Sequence, residues 1–319
     1  MKLMIIIIIL IIICIISFLI KTTKQREDTI NYFNRDNTTD KDKLMDVLKI
    51  YTTFIKPYES KIKLNIDTIL NDNDIVKEYY NNILDFTDTD KNIISRVIGE
   101  LYIDLFKFKN LYNNLEWNIV KVKDTLEWGM PFTLANYIFI PSSHISENRI
   151  VTLKNTLLHE QIHIFQRKQP LIFAQLYLDL GYTYLDYLKL PSNIEELRIT
   201  NPDGLYINWV YKDNDTLFLP LIMMNEHNSS QIEFKGIFLR KNEKYYEPIL
   251  FNNEPELINI HKYKHFINKF KLKHGLYHPN EIIAHSFTDW FLDKKQINSD
   301  IQTFFETKFI QEIKSESRN

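Results

Sequence analysis

One stretch constrains this chain more than any other: Thr156-Leu157-Leu158-His159-Glu160-Gln161-Ile162-His163-Ile164-Phe165-Gln166. On an α-helix, residues i and i+4 stand one above the other on a single face. His159 and His163 so placed can reach one metal ion. Zinc suits imidazole nitrogen and tetrahedral geometry, and a catalytic zinc needs a third protein ligand and a water. Glu160 is adjacent to His159 and therefore points beside the ion, where a carboxylate can take a proton from the zinc-bound water as a general base. Val151, Leu158, Ile162 and Phe165 make one apolar stripe at helical spacing, and Leu153, Leu157 and Ile164 make another. The helix is expected to be buried on more than one side and to stop near Gln169, before Pro170. The competing reading is two core histidines hydrogen-bonded to neighbours, with Glu160 paired to a base.

With those residues in view, the segment resembles the active-site helix of the zincin metallopeptidases. The resemblance implies that His159 and His163 bind zinc and that Glu160 activates water. A third ligand is sought in His278-Pro279-Asn280-Glu281-Ile282-Ile283-Ala284-His285. Pro279 suits the first turn of a helix, and Ile282, Ile283, Phe287, Trp290 and Phe291 supply its apolar side. Asn280-Glu281-x-x-Ala284 is similar to the second zinc-binding helix of the gluzincins, which implies Glu281 as third ligand. The separation from His163, 281 − 163 = 118 residues, is long for several gluzincin families, and an inserted β segment accounts for it. His285 stands where some relatives carry an Asp four residues after that Glu. It lies one turn from Glu281 and is the second candidate ligand; His278 is the third. The plain alternative for Glu281 is a carboxylate serving a helix N-terminus. A second donor for the oxyanion is sought near Tyr277 and His278, and the sequence does not choose between them.

Two stretches rich in β-formers precede the motif helix, Trp117 to Val122 and Phe132 to Pro141. In zincins a strand in this place forms the sheet edge above the cleft. The resemblance therefore implies that Thr133, Leu134, Ala135, Asn136 and Tyr137 line an extended substrate through main-chain hydrogen bonds. The alternative is an ordinary hairpin with a covered edge.

Leu3 to Ile20 is an apolar run of 18 residues, about 27 Å as a helix and enough to cross a hydrocarbon core. A cleaved signal peptide is the rival, but no Ala occurs before Ala135 to supply a small-residue cleavage site. The only cysteine, Cys14, lies in this run. The rest of the chain can form no disulfide, and any metal must be held by His, Asp or Glu. Lys+Arg 39 against Asp+Glu 41 gives no reason to expect nucleic acid as a partner. With 6 glycines no glycine-rich phosphate loop is present.

The expected fold is α+β: a zincin-like metallopeptidase domain with a helical N-terminal lobe and a small antiparallel β-insert, preceded by one transmembrane helix. The expected boundaries are an anchor at 1–20, a polar linker at 21–40, a helical lobe at 41–116, and a catalytic domain at 117–319 with its insert at about 204–250. Within these, helices are expected near 42–55, 73–85, 90–115 and 171–188. The expected function is a membrane-anchored, single-pass zinc metallopeptidase acting on a peptide or protein. Two alternatives stand beside it: a degenerate zincin-fold structural or interaction protein of a membrane, and a zinc hydrolase acting on a non-peptide amide.

Overall fold

In the computed structural model, which describes residues 30–225 and 231–310, strand alternation sets the layout of the N-terminal half. The chain runs β1 (Ile30–Tyr32), α1 (Thr38–Thr52), α2 (Pro57–Leu64), α3 (Asp72–Asn81), β2 (Ile83–Leu84), α4 (Asp88–Leu105), α5 (Lys109–Asn113), β3 (Trp117–Val122), β4 (Phe132–Leu134) and β5 (Tyr137–Pro141). The sheet order is β1-β3-β5-β4, with β2 also on β3. β3 runs parallel to β1 and β5, and β4 folds back antiparallel on β5 at the edge.

Successive side chains of a strand point to opposite faces. Trp117 and Ile119 join Ile94, Val97, Ile98 and Leu101 of α4 in one core. Val120 and Val122 join Leu44 and Leu48 of α1 and Ile75 and Tyr79 of α3 in another. A sheet apolar on both faces needs a covering layer on each. The helices expected as a separate lobe at 41–116 are those two layers. The linker expected at 21–40 is corrected in its second half, because β1 pairs with β3 and Asn37 caps α1, its side chain accepting from Thr39 and Asp40 N–H. The helix expected over 90–115 is two, α4 and α5.

The chain continues with α6 (Ile150–Lys168), α7 (Pro170–Asp179), β6 (Tyr182–Tyr184), α8 (Ser192–Leu197), β7 (Trp209–Asp213), β8 (Thr216–Met224), β9 (Ile232–Lys241), β10 (Tyr246–Pro248), β11 (Leu250–Phe251), β12 (Glu254–Pro255), β13 (Leu257–Asn259), α9 (Lys264–Phe270), α10 (Pro279–Phe291) and α11 (Ser299–Phe304). The second sheet is antiparallel, in the order β10-β9-β8-β7-β6 with β13 on β9. It is larger than the insert expected at 204–250, reaching from Tyr182 to Asn259. The helix expected over 171–188 ends at Asp179; Gly181 takes φ 86°, which glycine adopts without strain, and the tyrosines after it enter β6.

α10 packs along α6. Leu153, Leu157, Leu158, Ile162, Ile164 and Phe165 of α6 share the first core with Ile282, Ile283, Ala284 and Phe287 of α10. Each large apolar side chain buried this way contributes about 1.5–3 kcal/mol, and Ala284 lets the helices approach closely. Val151, placed on an apolar stripe by spacing, is exposed. The described residues thus form a mixed α+β fold with eleven α-helices and three sheets. No helix among them is long and apolar enough to cross a membrane; the apolar run at 3–20 lies outside the described residues.

Candidate metal centre

α6 presents His159 and His163 one turn apart, and α10 brings Glu281 against them in its first turn. The two Nε2 atoms are 3.0 Å apart. His159 Nε2 is 3.3 Å from Glu281 Oε2, and His163 Nε2 is 3.5 Å from Glu281 Oε1. Tetrahedral ligands at about 2.0–2.1 Å from zinc are separated by about 3.3 Å, and these separations are of that size, the two to Glu281 running to its two different oxygens. His163 Nδ1 meets Gln166 Oε1 at 3.0 Å, and Gln166 Nε2 donates to Asn280 O at 2.9 Å. Because that amide donates to a carbonyl, its oxygen must be the acceptor of the His163 contact. His163 is then protonated on Nδ1 and directs its Nε2 lone pair at the centre.

The electrostatics point the same way. Burial raises the Glu281 carboxyl, but His163 and then His159 outweigh it and hold Glu281 well below the usual range. Burial lowers His163, and the Glu281 charge overcomes this to push it up to about 10. Two imidazoles and a carboxylate converge on a point that demands positive charge, met by a proton or by a metal ion.

Glu160 is buried, and its Oε2 has no hydrogen-bond partner. Burial first, then the nearby Asp203 charge, pushes its carboxyl well above the usual range. A buried carboxylate without a full set of partners is costly. This one lines the same cleft as His159 and Glu281, a cavity of about 420 Å³ whose walls include Trp128, Pro131 and Tyr277. Glu160, His163 and Asp203 form a second group of converging atoms that shares His163. Burial likewise raises Asp203, whose Oδ1 already accepts from Thr133 N–H at 2.9 Å.

The other expected site residues fall differently. His285 Nε2 lies 4.0 Å from Glu281 Oε2 and is outside the converging group. His278 caps α10: its Nδ1 accepts from Asn280 N–H at 3.2 Å, so its Nε2–H donates to Tyr206 O at 3.1 Å. Tyr277 lines the cleft and His278 does not. Thr133 and Leu134 lie on the edge strand β4, whereas Tyr137 lies on β5 inside the sheet, and the open side of β4 is engaged. Thr133 N–H donates to Asp203 Oδ1 at 2.9 Å, and Ala135 O accepts from Arg167 Nε at 2.8 Å. Leu134 is buried, Ala135 takes φ 52° at the turn, and Asn136 and Tyr137 lie outside the cleft lining. Met130, Pro131 and Phe132, just before them, line the cleft instead. The turn after α8 thus supplies the edge of β4 with a carboxylate of its own.

Sequence reasoning missed Asn201, Asp203 and Gln166. Asn201-Pro202-Asp203-Gly204 reads as a turn and nothing more, because its partners lie far along the chain. Gln166, one turn from His163, had a local signal in its spacing. No protein-family model matches the chain, and no curated protein or solved structure matches it.

Proposed function

We propose that the chain is a zinc-dependent metallopeptidase of gluzincin type, held to a membrane by its apolar N-terminal run. One observation carries the reading: His159 Nε2, His163 Nε2 and the Glu281 carboxylate converge on one point, with the unpartnered oxygen of Glu160 buried in the same cleft. The donor set, two imidazoles and a carboxylate, suits zinc with a position left for water. Zinc, when bound, supplies Lewis acidity toward a carbonyl and lowers the pKa of a water. Glu160 takes the proton of the attacking water and returns it to the departing nitrogen. Burial and the neighbouring Glu281 keep the Tyr277 phenol well above its usual range, so it stays protonated and can donate to the oxyanion. The substrate class of this reading is a peptide or protein.

The Asp203 contact on Thr133 N–H favours a second reading. A substrate that needs no main-chain pairing along β4, such as a small non-peptide amide, meets no obstacle there. The test uses the full chain, loaded with zinc and assayed on a peptide library and on a panel of amides, with metal content measured on the same sample. About one zinc per chain is expected from a three-ligand site, with hydrolysis of peptides. Hydrolysis confined to the amide panel selects the second reading. A chain that holds no stoichiometric zinc removes both, and leaves a structural or interaction protein.

A further inference from the structure

Behind the metal centre, across the Asn201–Gly204 turn from the cleft, lies a second cavity of about 550 Å³. That is within the usual 300–1,000 Å³ of small-ligand sites. Its walls are apolar and aromatic: Val47 and Ile50 of α1, Ala174 and Tyr177 of α7, and Leu205 and Trp209 beyond the turn. Such a lining is the common composition of a ligand pocket, provided a few polar groups fix orientation.

Most polar groups in the wall are already used. Gln166 bridges His163 and Asn280, His278 caps α10, and Asp203 holds Thr133. Arg167 is different. It stands one turn beyond His163 on α6, is accessible, and lines this cavity and not the cleft. Its Nε donates to Ala135 O at 2.8 Å and its Nη2 to Thr133 Oγ1. Of five guanidinium N–H donors, these use two. Among the described residues no carboxylate oxygen lies within 4.0 Å of it. The acids whose charge reaches it are Asp203, then Glu160 and Glu281.

We propose that this cavity binds a single-chain amphiphile with a carboxylate head, a fatty acid, with the head on Arg167 and the acyl chain between α1, α7 and Trp209. A planar guanidinium with free donors matches a carboxylate. A monoanion suffers about half the repulsion from Asp203 that a phosphate dianion would, so a carboxylate is the better fit.

The experiment photolabels the full chain in phosphatidylcholine nanodiscs with a fatty acid carrying a diazirine, against the fatty alcohol of the same length. The attachment sites are mapped by mass spectrometry. Labelling is expected around Tyr177, Leu205 and Trp209, with the acid exceeding the alcohol by about tenfold, the worth of a charge-assisted hydrogen bond. Arg167→Gln should reduce labelling by the acid to the level of the alcohol. Arg167→Lys, which keeps the charge, should retain part of it. Ala174→Trp fills the cavity while leaving Arg167 in place, and should abolish labelling by both probes. Equal labelling by acid and alcohol, or unchanged acid labelling in either Arg167→Gln or Ala174→Trp, overturns the proposal. So does displacement of the probe by an apolar peptide with a free C-terminus but not by unlabelled fatty acid, which would assign the cavity to a peptide end.

Discussion

The side-chain amide of Asn201 donates to Glu281 Oε1 at 2.9 Å. Glu281 therefore has one oxygen tied before any ion arrives, while Oε2 faces His159. Groups that orient a ligand typically contribute 10–100-fold to metal affinity. Asn201→Ala should lower zinc affinity by about that factor, with secondary structure unchanged. A competitive chelator titration measures it, and equal affinity in variant and parent would show that the contact orients nothing.

This contact also marks what a sequence can and cannot announce. The helix carrying His159 and His163 was legible because apolar residues recur at helical spacing and Pro170 stops them. The start of α10 was legible from Pro279. What joins them was not. Asn201 and Asp203 show only turn chemistry, and their partners Glu281 and Thr133 lie 80 and 70 residues away. Likewise β1 is three residues long and pairs in parallel with a strand 87 residues later, a connection with no local period. Tyr182 to Tyr184 was read as helix because a short aromatic run following a helix continues its pattern until Gly181 is seen to break it. The two-sided burial of β3 could be read as apolar, but not as the reason for helices on both faces.

The floor of the cleft predicts a stability effect. Lys63 Nζ meets Glu127 Oε2 at 2.7 Å with both side chains buried, and Glu127 Oε1 accepts from Tyr51 at 2.6 Å and Tyr79 at 2.5 Å. Glu127 and Trp128 take φ 47° and 57°, a left-handed backbone that costs energy and persists only where contacts hold it. Glu127→Ala leaves the Lys63 ammonium uncompensated, which costs about 3–5 kcal/mol. Urea unfolding should show a loss of that size; a loss below about 1 kcal/mol, the worth of an ordinary hydrogen bond, would mean that the pair stabilises little.

Asp90 gives a pH dependence. Burial raises its carboxyl, but the Lys121 ammonium at 2.7 Å and the Thr87 backbone N–H outweigh burial and hold it below its ordinary value of 3.8. A group depressed in the folded state stabilises above its unfolded pKa, and that stabilisation is lost as pH falls through the folded value. Asp90→Asn should therefore destabilise the chain at neutral pH by about 1.5–3 kcal/mol, the range of a charged hydrogen bond. The deficit should shrink as the pH falls below 3.8. Denaturation of variant and parent across that range measures it, and a constant deficit would show that the charge is not the cause.

The third ligand can be assigned by two substitutions. Glu281→Gln keeps the shape but offers a neutral amide, a poorer ligand than a carboxylate. It should weaken zinc binding, whereas His285→Ala should leave zinc content near that of the parent, because His285 sits 4.0 Å from Glu281 Oε2 and outside the converging group. Metal content of both purified proteins decides. Full zinc in Glu281→Gln together with loss in His285→Ala would transfer the role to His285.

Glu160 should matter to the chemistry and not to the metal. It is adjacent to His159 and so off the face on which the ligands stand. Its Oε2 is buried without a hydrogen-bond partner among the described residues, so it remains able to accept a proton. Glu160→Gln preserves volume and cannot accept a proton. It should also relieve the carboxyl crowding with Asp203, so the variant is expected to fold at least as stably as the parent. Removing a general base typically lowers the rate by about 10²–10⁴-fold, with zinc content unchanged. Hydrolysis and metal content measured on one preparation separate the outcomes. A Glu160→Gln protein that keeps zinc and cleaves as fast as the parent ends the water-activation mechanism. One that loses zinc makes Glu160 a ligand and redraws the centre around the group it forms with His163 and Asp203.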